Sequence, residues 1–300
     1  MTKIRSWIEA IRLRTLPLAI ASILMGSFLA ISSKEYNWTV IILCIITTLF
    51  LQILSNLAND YGDGMKGTDN KERLGPKRTI QSGSISPKEM RLGIVVFMVL
   101  SFISGIWLII ESLGMNWQLG LLFLFLGVAS IGAAIKYTVG NKAYGYSGFG
   151  DVFVFLFFGI IAVLGTYFLN THSLNWEIIL PASSMGFLCT GVLNLNNMRD
   201  MENDAISGKR TMALILGFET SKKYHYTIIT LAMVNALVFV ALQYHSLWQF
   251  IFLVSYPLII KELYEINKIT DKSLLDPYLK RLALSTLLFT ILFGVGIIFG

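Results

Sequence analysis

Charged residues are scarce in this 300-residue chain. Only 14% of the residues are Asp, Glu, Lys or Arg, whereas 55% are apolar, and the mean hydropathy is +0.66. A soluble domain of this length does not need so much apolar sequence for its core. The composition therefore excludes an ordinary soluble protein and predicts an integral membrane protein.

Cysteine and histidine are also few, and they are scattered. The two cysteines, Cys44 and Cys189, fall inside apolar stretches, where a thiol behaves as a small buried side chain. The three histidines belong to no H-E-x-x-H sequence. The sequence therefore offers no disulfide framework, no cysteine or histidine metal site and no histidine-based triad.

Long apolar stretches predict an all-α fold with nine membrane-spanning helices in one bundle. A helix needs about 20 apolar residues to cross the hydrocarbon core of a bilayer. We place the spans at residues 15–33, 38–58, 92–110, 117–136, 152–169, 177–197, 225–243, 247–261 and 282–299. The eighth span is the shortest. Since no soluble segment separates the spans, we interpret residues 1–300 as a single membrane domain.

The distribution of cations independently supports nine spans and orients them, because Lys and Arg concentrate in cytoplasmic loops. With the N-terminus inside, 23 of the 24 cations lie on the cytoplasmic side and only Lys34 lies opposite. We therefore expect an N-in, C-out topology in a bacterial cytoplasmic membrane. The net charge of +6 follows from these loops, so we expect no nucleic-acid partner.

The N-terminal segment has apolar residues at helical spacing among cations. Ile4, Trp7, Ile8 and Ile11 precede Pro17. This pattern is typical of an amphipathic helix that lies at the membrane surface. A cleaved signal peptide is the alternative interpretation of the charged start.

Two acidic runs begin the loops at 56–91 and 194–223, where the second and sixth predicted spans end. They contain six of the 18 acidic residues of the chain: Asp60, Asp63, Asp69, Asp200, Glu202 and Asp204. Acids beside a membrane are costly and therefore indicate function. Because the runs are four helices apart, we predict two four-helix-like repeats; chance similarity of two short strings is the alternative.

Helical spacing predicts that each acidic run presents its carboxylates on one face. Asn56, Asp60 and Asp63 are four and three residues apart, and Asp200 and Asp204 are one turn apart. Such oxygen ligands suit Mg²⁺, which typically takes one or two carboxylates together with substrate phosphate. We therefore interpret the four aspartates as ligands of Mg²⁺ ions that bind a diphosphate. Ordinary solvated helix ends are the alternative.

The strings around these acids resemble a known family. The sequences NDYGD at 59–63 and DMEND at 200–204 are similar to the N-D-x-x-D and D-x-x-x-D motifs of the UbiA superfamily of intramembrane prenyltransferases. RTIQSG at 78–83 and YTVGNKAYGYSGFGD at 137–151 extend the resemblance to the branch that prenylates 1,4-dihydroxy-2-naphthoate. The resemblance covers essentially the whole chain. It departs at Asn141, where many relatives have a lysine, and this leaves the role of the neighbouring Lys142 open.

The resemblance implies Mg²⁺-dependent transfer of a polyprenyl group from polyprenyl diphosphate to 1,4-dihydroxy-2-naphthoate in the lipid bilayer, with loss of CO2 and diphosphate, for menaquinone biosynthesis. A relative with another acceptor, such as 4-hydroxybenzoate, and an ion-coupled transporter are the alternatives. It implies two Mg²⁺ ions on the four aspartates, with Lys66 and Arg78 as further catalytic residues. The substrate-binding residues expected are Asn56, Asn59, Asn197, Lys142, Tyr137, Tyr144, Tyr146, Asp151 and Arg14. Interfacial aromatic residues and topological cations are the structural alternatives for these positions.

Overall fold

Long apolar helices make up the structure, a computed structural model that describes residues 2–68, 74–75, 78–140 and 143–300. Nine helices in these ranges are long and apolar enough to span a membrane: α1 Lys3–Ser32, α2 Trp38–Lys66, α3 Pro87–Leu113, α4 Trp117–Lys136, α5 Gly150–Thr171, α6 Trp176–Arg199, α7 Phe218–Leu242, α8 Leu247–Lys268 and α9 Lys272–Phe299. Each overlaps one predicted span. The all-α class and the nine spans are therefore confirmed.

Several helices extend beyond the predicted spans, because polar residues can continue a helix past the apolar core. α2 does not end at residue 58 but continues through its acidic run to Lys66. Gly67 then caps it with a left-handed backbone, φ 73°. α8 begins as a 3-10 helix over Leu247–Ser255 and becomes α-helical over Tyr256–Lys268. Asp60 and Asp63 of the first run therefore lie on a regular helix rather than in a loop, and Asp69 lies outside the described residues.

The first membrane segment, α1, consists of two helical pieces. Lys3–Ile11 is the amphipathic piece, on which Ile4 and Ile8 are exposed, and Leu16–Ser32 is the apolar piece. Between them Arg12 has a left-handed backbone with φ 57°, which is uncommon for a residue other than glycine. This turn directs the Arg12 side chain toward the acidic end of α2.

Four tryptophans mark one end of the bundle. Trp38, Trp117 and Trp176 are the first residues of α2, α4 and α6, and Trp248 is the second residue of α8. They are 60% to 70% exposed. Consecutive spans run in opposite directions, so the N-termini of these four helices share one end of the bundle. Exposed tryptophans in such a position are typical of a membrane boundary.

Among the described residues, three buried clusters hold the bundle together, one of which joins α1, α2, α3 and α5. The largest joins α1 to α5–α9, with Met25, Met185 and Phe289 among its fully buried members. A second cluster joins α2 and α3 around Leu54 and Leu57. Residues from the ends of α2 and α6 line one cavity between these two halves. The packing therefore brings together two acidic runs that are far apart in the sequence.

Candidate functional site

The acidic end of α2 forms a buried polar face. Asn56, Asp60 and Asp63 are only 3%, 1% and 7% exposed, in agreement with their predicted position on one side of the helix. The Asn56 amide donates to the main-chain oxygen of Ile11 at 2.8 Å and to the Thr15 hydroxyl at 3.0 Å. These bonds fasten α2 to the junction between the two pieces of α1.

Asp60 is held by two arginines from different parts of the chain. Arg12 pairs with its carboxylate, and Arg78 Nη1 lies 3.5 Å from Oδ1. The Thr79 hydroxyl donates to Oδ2 at 3.3 Å. A buried carboxylate needs such partners, because it has lost its hydration. Both arginines line the cavity, whereas Asp60 is not among the described residues that do so.

Asp63 lies one turn further along α2 and lines the cavity. Its Oδ1 accepts a hydrogen bond from the Tyr146 hydroxyl at 2.7 Å. That hydroxyl is also 2.6 Å from the Thr68 hydroxyl. Burial raises the pKa of Tyr146, and the Asp63 carboxylate acts in the same direction. The phenol therefore stays protonated and donates to Asp63.

At the end of α6, Asp200 is paired with the adjacent residue, Arg199. Arg199 donates to Asp200 from Nε at 2.9 Å and from Nη2 at 2.7 Å, and it also pairs with Asp276 of α9. The guanidinium is fully buried, so these carboxylates replace its hydration. The helix is interrupted at Asp200, and a short helix, Met201–Ile206, follows.

Asp204 lies one helical turn beyond Asp200, next to Lys209. The Lys209 ammonium is 3.6 Å from Asp204 Oδ1, whereas Asp204 Oδ2 is buried and has no hydrogen-bond partner among the described residues. Burial disfavours the charged form of Lys209, but the carboxylates of Asp204 and Asp63 outweigh burial and raise its pKa. The site thus contains a stable cation and a carboxylate oxygen that can accept a further bond.

These groups surround a cavity of about 350 Å³. Its charged lining residues are Arg12, Arg14, Asp63, Arg78, Asp200, Asp204, Lys209 and Lys280. Its amide lining residues are Gln52, Asn56, Asn59, Asn196, Asn197 and Asn203. Cations can bind phosphate oxygens directly, and carboxylates can bind them through a metal ion. The lining is therefore suited to a diphosphate.

One wall of the cavity is aromatic. The rings of Tyr137 and Tyr144 meet edge to face with centroids 5.3 Å apart, Tyr144 stacks on Phe153 at 4.0 Å, and Phe157 follows Phe153 at 6.1 Å. All four residues line the cavity. Burial raises the pKa of Tyr137 to about 12, so its hydroxyl stays neutral. Aromatic faces attract positive charge, and this wall therefore suits a carbocation.

A second cavity, of about 500 Å³, adjoins the first among α1–α5. Its lining is almost entirely apolar. Five residues line both cavities: Thr48, Leu51, Ser130, Ile161 and Ala162. The charged cavity thus continues into an apolar one, and together they fit a ligand that has a charged head and an apolar tail.

The cavity gathers most of the predicted site residues. Those in its lining are Asp63, Asp200, Asp204, Arg78, Arg14, Asn56, Asn59, Asn197, Tyr137 and Tyr144. Of the predicted residues that the structure describes, Asp60, Lys66, Tyr146 and Asp151 are not in the lining. Lys66 is exposed, with its ammonium 3.9 Å from the Tyr146 ring centroid, and Asp151 is buried at the start of α5. Lys142 lies outside the described residues.

Among the lining residues that were not predicted are Arg12, Gln52, Phe153, Asn203 and Lys280. Gln52 could have been found, because it lies one turn before Asn56 on the same face of α2. Asn203 precedes Asp204 directly. Arg12 and Lys280 have no such signal, because they reach the cavity from α1 and α9, whose positions depend on the packing of the whole bundle.

The oxygen donors of the cavity fit Mg²⁺ that is bound together with a phosphate. Across the described ranges, no group of three or more Asp, Glu, His or Cys residues could hold a metal ion alone. Mg²⁺ does not need such a cage, since it usually takes one or two carboxylates together with phosphate oxygens and water. Asp63 and the unpartnered Oδ2 of Asp204 are donors of this kind.

Known proteins share both the sequence and the fold. Residues 19–287 match the UbiA prenyltransferase family. A 1,4-dihydroxy-2-naphthoate octaprenyltransferase from Haemophilus influenzae is 44% identical, over 99% of this chain and 97% of its own length. The protein of the same name from Escherichia coli is 40% identical, over 99% of this chain and 96% of its own length.

A solved structure shows the same architecture. It is a UbiA homolog from Archaeoglobus fulgidus bound to GPP and Mg²⁺, with a TM-score of 0.60, 16% identity, and coverage of 98% of this chain and 100% of that one. At that identity the likeness concerns the fold. The sequence relationships, in contrast, extend over nearly the full chain. This chain therefore belongs to the UbiA prenyltransferase family and is a multi-pass membrane prenyltransferase.

Proposed function

We propose that the protein transfers a polyprenyl group from polyprenyl diphosphate to 1,4-dihydroxy-2-naphthoate, releasing CO2 and diphosphate and forming a demethylmenaquinol. The observation that carries this proposal is the charged cavity that continues into an apolar one, because the donor has a charged head and an apolar tail. Relatives at 44% and 40% identity, which are named for this acceptor, support the naphthoate. The reaction belongs to menaquinone biosynthesis.

The diphosphate binds between the ends of α2 and α6. Arg12, Arg78 and Lys209 line the cavity there and can donate hydrogen bonds to phosphate oxygens. Because all three cations already pair with Asp60 or Asp204, their charges are partly neutralised before the anion arrives. Arriving phosphate oxygens then compete with these carboxylates for the cations.

Two Mg²⁺ ions would be held by the four aspartates of the acidic runs, Asp60, Asp63, Asp200 and Asp204. When bound, Mg²⁺ neutralises the charge that develops on a departing diphosphate. The homolog from Archaeoglobus fulgidus that was solved with GPP and Mg²⁺ supports this proposal. So does the donor set, because it consists of hard oxygen ligands.

The aromatic wall lies where an allylic cation would form. The C–O bond of the donor breaks, and the diphosphate leaves with the electron pair. The rings of Tyr137, Tyr144 and Phe153 stabilise the remaining positive charge and exclude water. The polyprenyl tail lies in the apolar cavity and passes between Ile161 and Ala162 of α5 and the facing residues of α2 and α4.

The acceptor ring completes the reaction at the same wall. It forms one C–C bond to the allylic carbon, and the C–C bond to its carboxylate breaks. The electron pair of that bond returns to the ring, and CO2 leaves, so no external oxidant or reductant is needed. Asn59, Asn197 and the Tyr137 hydroxyl line this part of the cavity and can bind the acceptor hydroxyls.

We also propose that the protein lies in a bacterial cytoplasmic membrane with its N-terminus and active site on the cytoplasmic side. This topology places 23 of the 24 cations inside. The exposed tryptophans that begin α2, α4, α6 and α8 then lie at the outer boundary. Residues 1–300 act as one unit, and the four-helix-like repeat stays a prediction.

The acceptor can be tested with membranes that contain the protein. They are incubated with a polyprenyl diphosphate, Mg²⁺ and either 1,4-dihydroxy-2-naphthoate or 4-hydroxybenzoate. We expect a prenylated naphthoquinone after oxidation in air, no prenylated benzoate, and no product when EDTA removes Mg²⁺. Product from 4-hydroxybenzoate alone would overturn the proposed acceptor, and product in EDTA would overturn the metal dependence.

A further inference from the structure

Tyr146 contacts segments that are far apart in the sequence. It lies between α4 and α5, in the 3-10 turn Tyr144–Tyr146. Its hydroxyl donates to Asp63 Oδ1 at 2.7 Å and is 2.6 Å from the Thr68 hydroxyl. Its main-chain oxygen accepts from the Arg210 amide at 3.2 Å. One residue thus connects the end of α2 with the segment that follows α6.

The donors and acceptors in the two hydrogen bonds of the Tyr146 hydroxyl can be assigned. A phenol has a single proton, and a carboxylate oxygen such as Asp63 Oδ1 accepts a hydrogen bond. The Tyr146 proton therefore goes to Asp63, and the Thr68 hydroxyl donates to the Tyr146 oxygen. Because a hydrogen bond to a charged group is stronger than a neutral one, it restrains the Asp63 carboxylate at the cavity wall.

The Tyr146 ring has a lysine from each acidic run near it. Lys66 Nζ is 3.9 Å from the ring centroid, and Lys209 Nζ is 5.7 Å from it. Lys66 ends α2, whereas Lys209 pairs with Asp204. Both distances are within the range of a cation–π interaction. The ring therefore restrains a cation from each side of the diphosphate site.

Two further contacts join the segments that Tyr146 connects. The Asn203 amide donates to the Thr68 main-chain oxygen at 2.8 Å. Ser147 and Arg210 form an isolated parallel β-bridge next to Tyr146. The end of α2, the α4–α5 connection and the segment after α6 are thus joined pairwise. We call these contacts, centred on Tyr146, the clasp.

We propose that Tyr146 is a positioning residue, which orients Asp63 and holds the clasp closed over the diphosphate of the donor. The inference rests on the proposed function, because the proposed function places Mg²⁺ on Asp63 beside the diphosphate. Tyr146 is not among the described residues that line the cavity. In this proposal its hydroxyl acts on the donor through Asp63, whereas the sequence predicted Tyr146 as a substrate-binding residue.

Tyr146→Phe tests the proposal, because it removes the hydroxyl and keeps the ring. Tyr264→Phe is the matched control: its ring also lies under a lysine, Lys268 at 4.0 Å, but Tyr264 is 63% exposed on α8. We expect Tyr146→Phe to raise the KM for the polyprenyl diphosphate about tenfold and the Mg²⁺ concentration needed for half activity. The KM for the naphthoate and all constants of the control should not change.

Trypsin cleavage provides a second measurement, which does not depend on turnover. The clasp restrains the chain at Lys66, Lys209 and Arg210, which are cleavage positions for trypsin. Because proteolysis requires local opening, we expect Tyr146→Phe to be cut several-fold faster there than the wild type, at an unchanged Tm. Inorganic diphosphate with Mg²⁺ should protect the wild type more than the variant.

The possible outcomes separate the clasp from the proposed function. Equal donor KM values and equal cleavage rates for Tyr146→Phe and the wild type would overturn the clasp. So would a selective rise in the KM for the naphthoate, or a lower Tm with unchanged KM values. If the wild type forms no prenylated naphthoate, the proposed function fails, while the cleavage rates still decide whether the clasp exists.

Discussion

The acidic ends of α2 and α6 bury similar carboxylates with different partners. At α2 the helix continues through the acids, and Asp60 is neutralised by Arg12 and Arg78, which come from elsewhere in the chain. At α6 the helix is interrupted at Asp200, and the neutralising arginine is its neighbour Arg199. One end is therefore assembled by tertiary contacts and the other largely by local ones.

This difference shows that the partners of a carboxylate decide its role. A buried carboxylate is stable only when cations or hydrogen bonds replace its hydration. Asp60 has two arginines and is not among the described residues that line the cavity, whereas Asp63, one turn away, lines it. Asp204 likewise keeps one oxygen unpartnered among the described residues. Similar acidic strings can therefore have unlike surroundings.

The largest effect is expected from Asp63 and Asp204, which both line the cavity. Asp63→Asn and Asp204→Asn keep the shape of the side chain but remove its charge, so each should lower kcat roughly 100- to 1000-fold. Steady-state rates over a range of Mg²⁺ concentrations measure the loss. Glu35→Gln, at an exposed acid between α1 and α2, is the control. A near-normal rate in either variant would contradict a site built from both ends.

The arginines should differ in their contribution to stability. Arg199→Ala removes the cation that donates two hydrogen bonds to the buried Asp200 and also pairs with Asp276, and we expect it to lower the free energy of unfolding by about 3 kcal/mol. Arg12→Ala should cost about 1.5 kcal/mol, because Arg78 and Thr79 still contact Asp60. Unfolding in detergent measures both. Equal losses would show that the two ends do not differ as described.

Lys209→Met should have a smaller effect on catalysis. The variant keeps the length of the side chain and removes the cation that lies 3.6 Å from Asp204. We expect kcat/KM for the polyprenyl diphosphate to fall roughly tenfold, while Lys223→Met, at an exposed position of α7, retains wild-type kinetics. An unchanged kcat/KM in Lys209→Met would show that this cation does not contribute to the diphosphate site.

The smallest effect is expected from Lys66→Met. The sequence predicted a catalytic role for Lys66, but the side chain is exposed and lies over the Tyr146 ring. An exposed cation–π contact contributes little, so we expect a two- to threefold change in kcat/KM. A loss of a hundredfold or more would show that Lys66 reaches the substrate and would confirm the predicted role.

Much of the fold could be predicted because the bilayer restricts the possibilities. A spanning segment must be apolar over about 20 residues and must satisfy its own backbone hydrogen bonds, which favours a helix. Hydropathy therefore predicted nine helices, although it missed the polar continuation of α2 to Lys66. Because α2 continues to Lys66, Asn56, Asp60 and Asp63 share one face of a helix, as predicted. Helical periodicity applies only to residues that belong to the helix.

The sequence by itself determined the membrane helices and the residue types of the site, because both depend on composition and on neighbours within a few turns. Only the tertiary structure decided that Arg12 pairs with Asp60, 48 residues away, and that Tyr146 reaches Asp63, 83 residues away. It also decided that the charged cavity adjoins an apolar one. These contacts join separate helices, and helical periodicity orients a side chain only relative to its own helix.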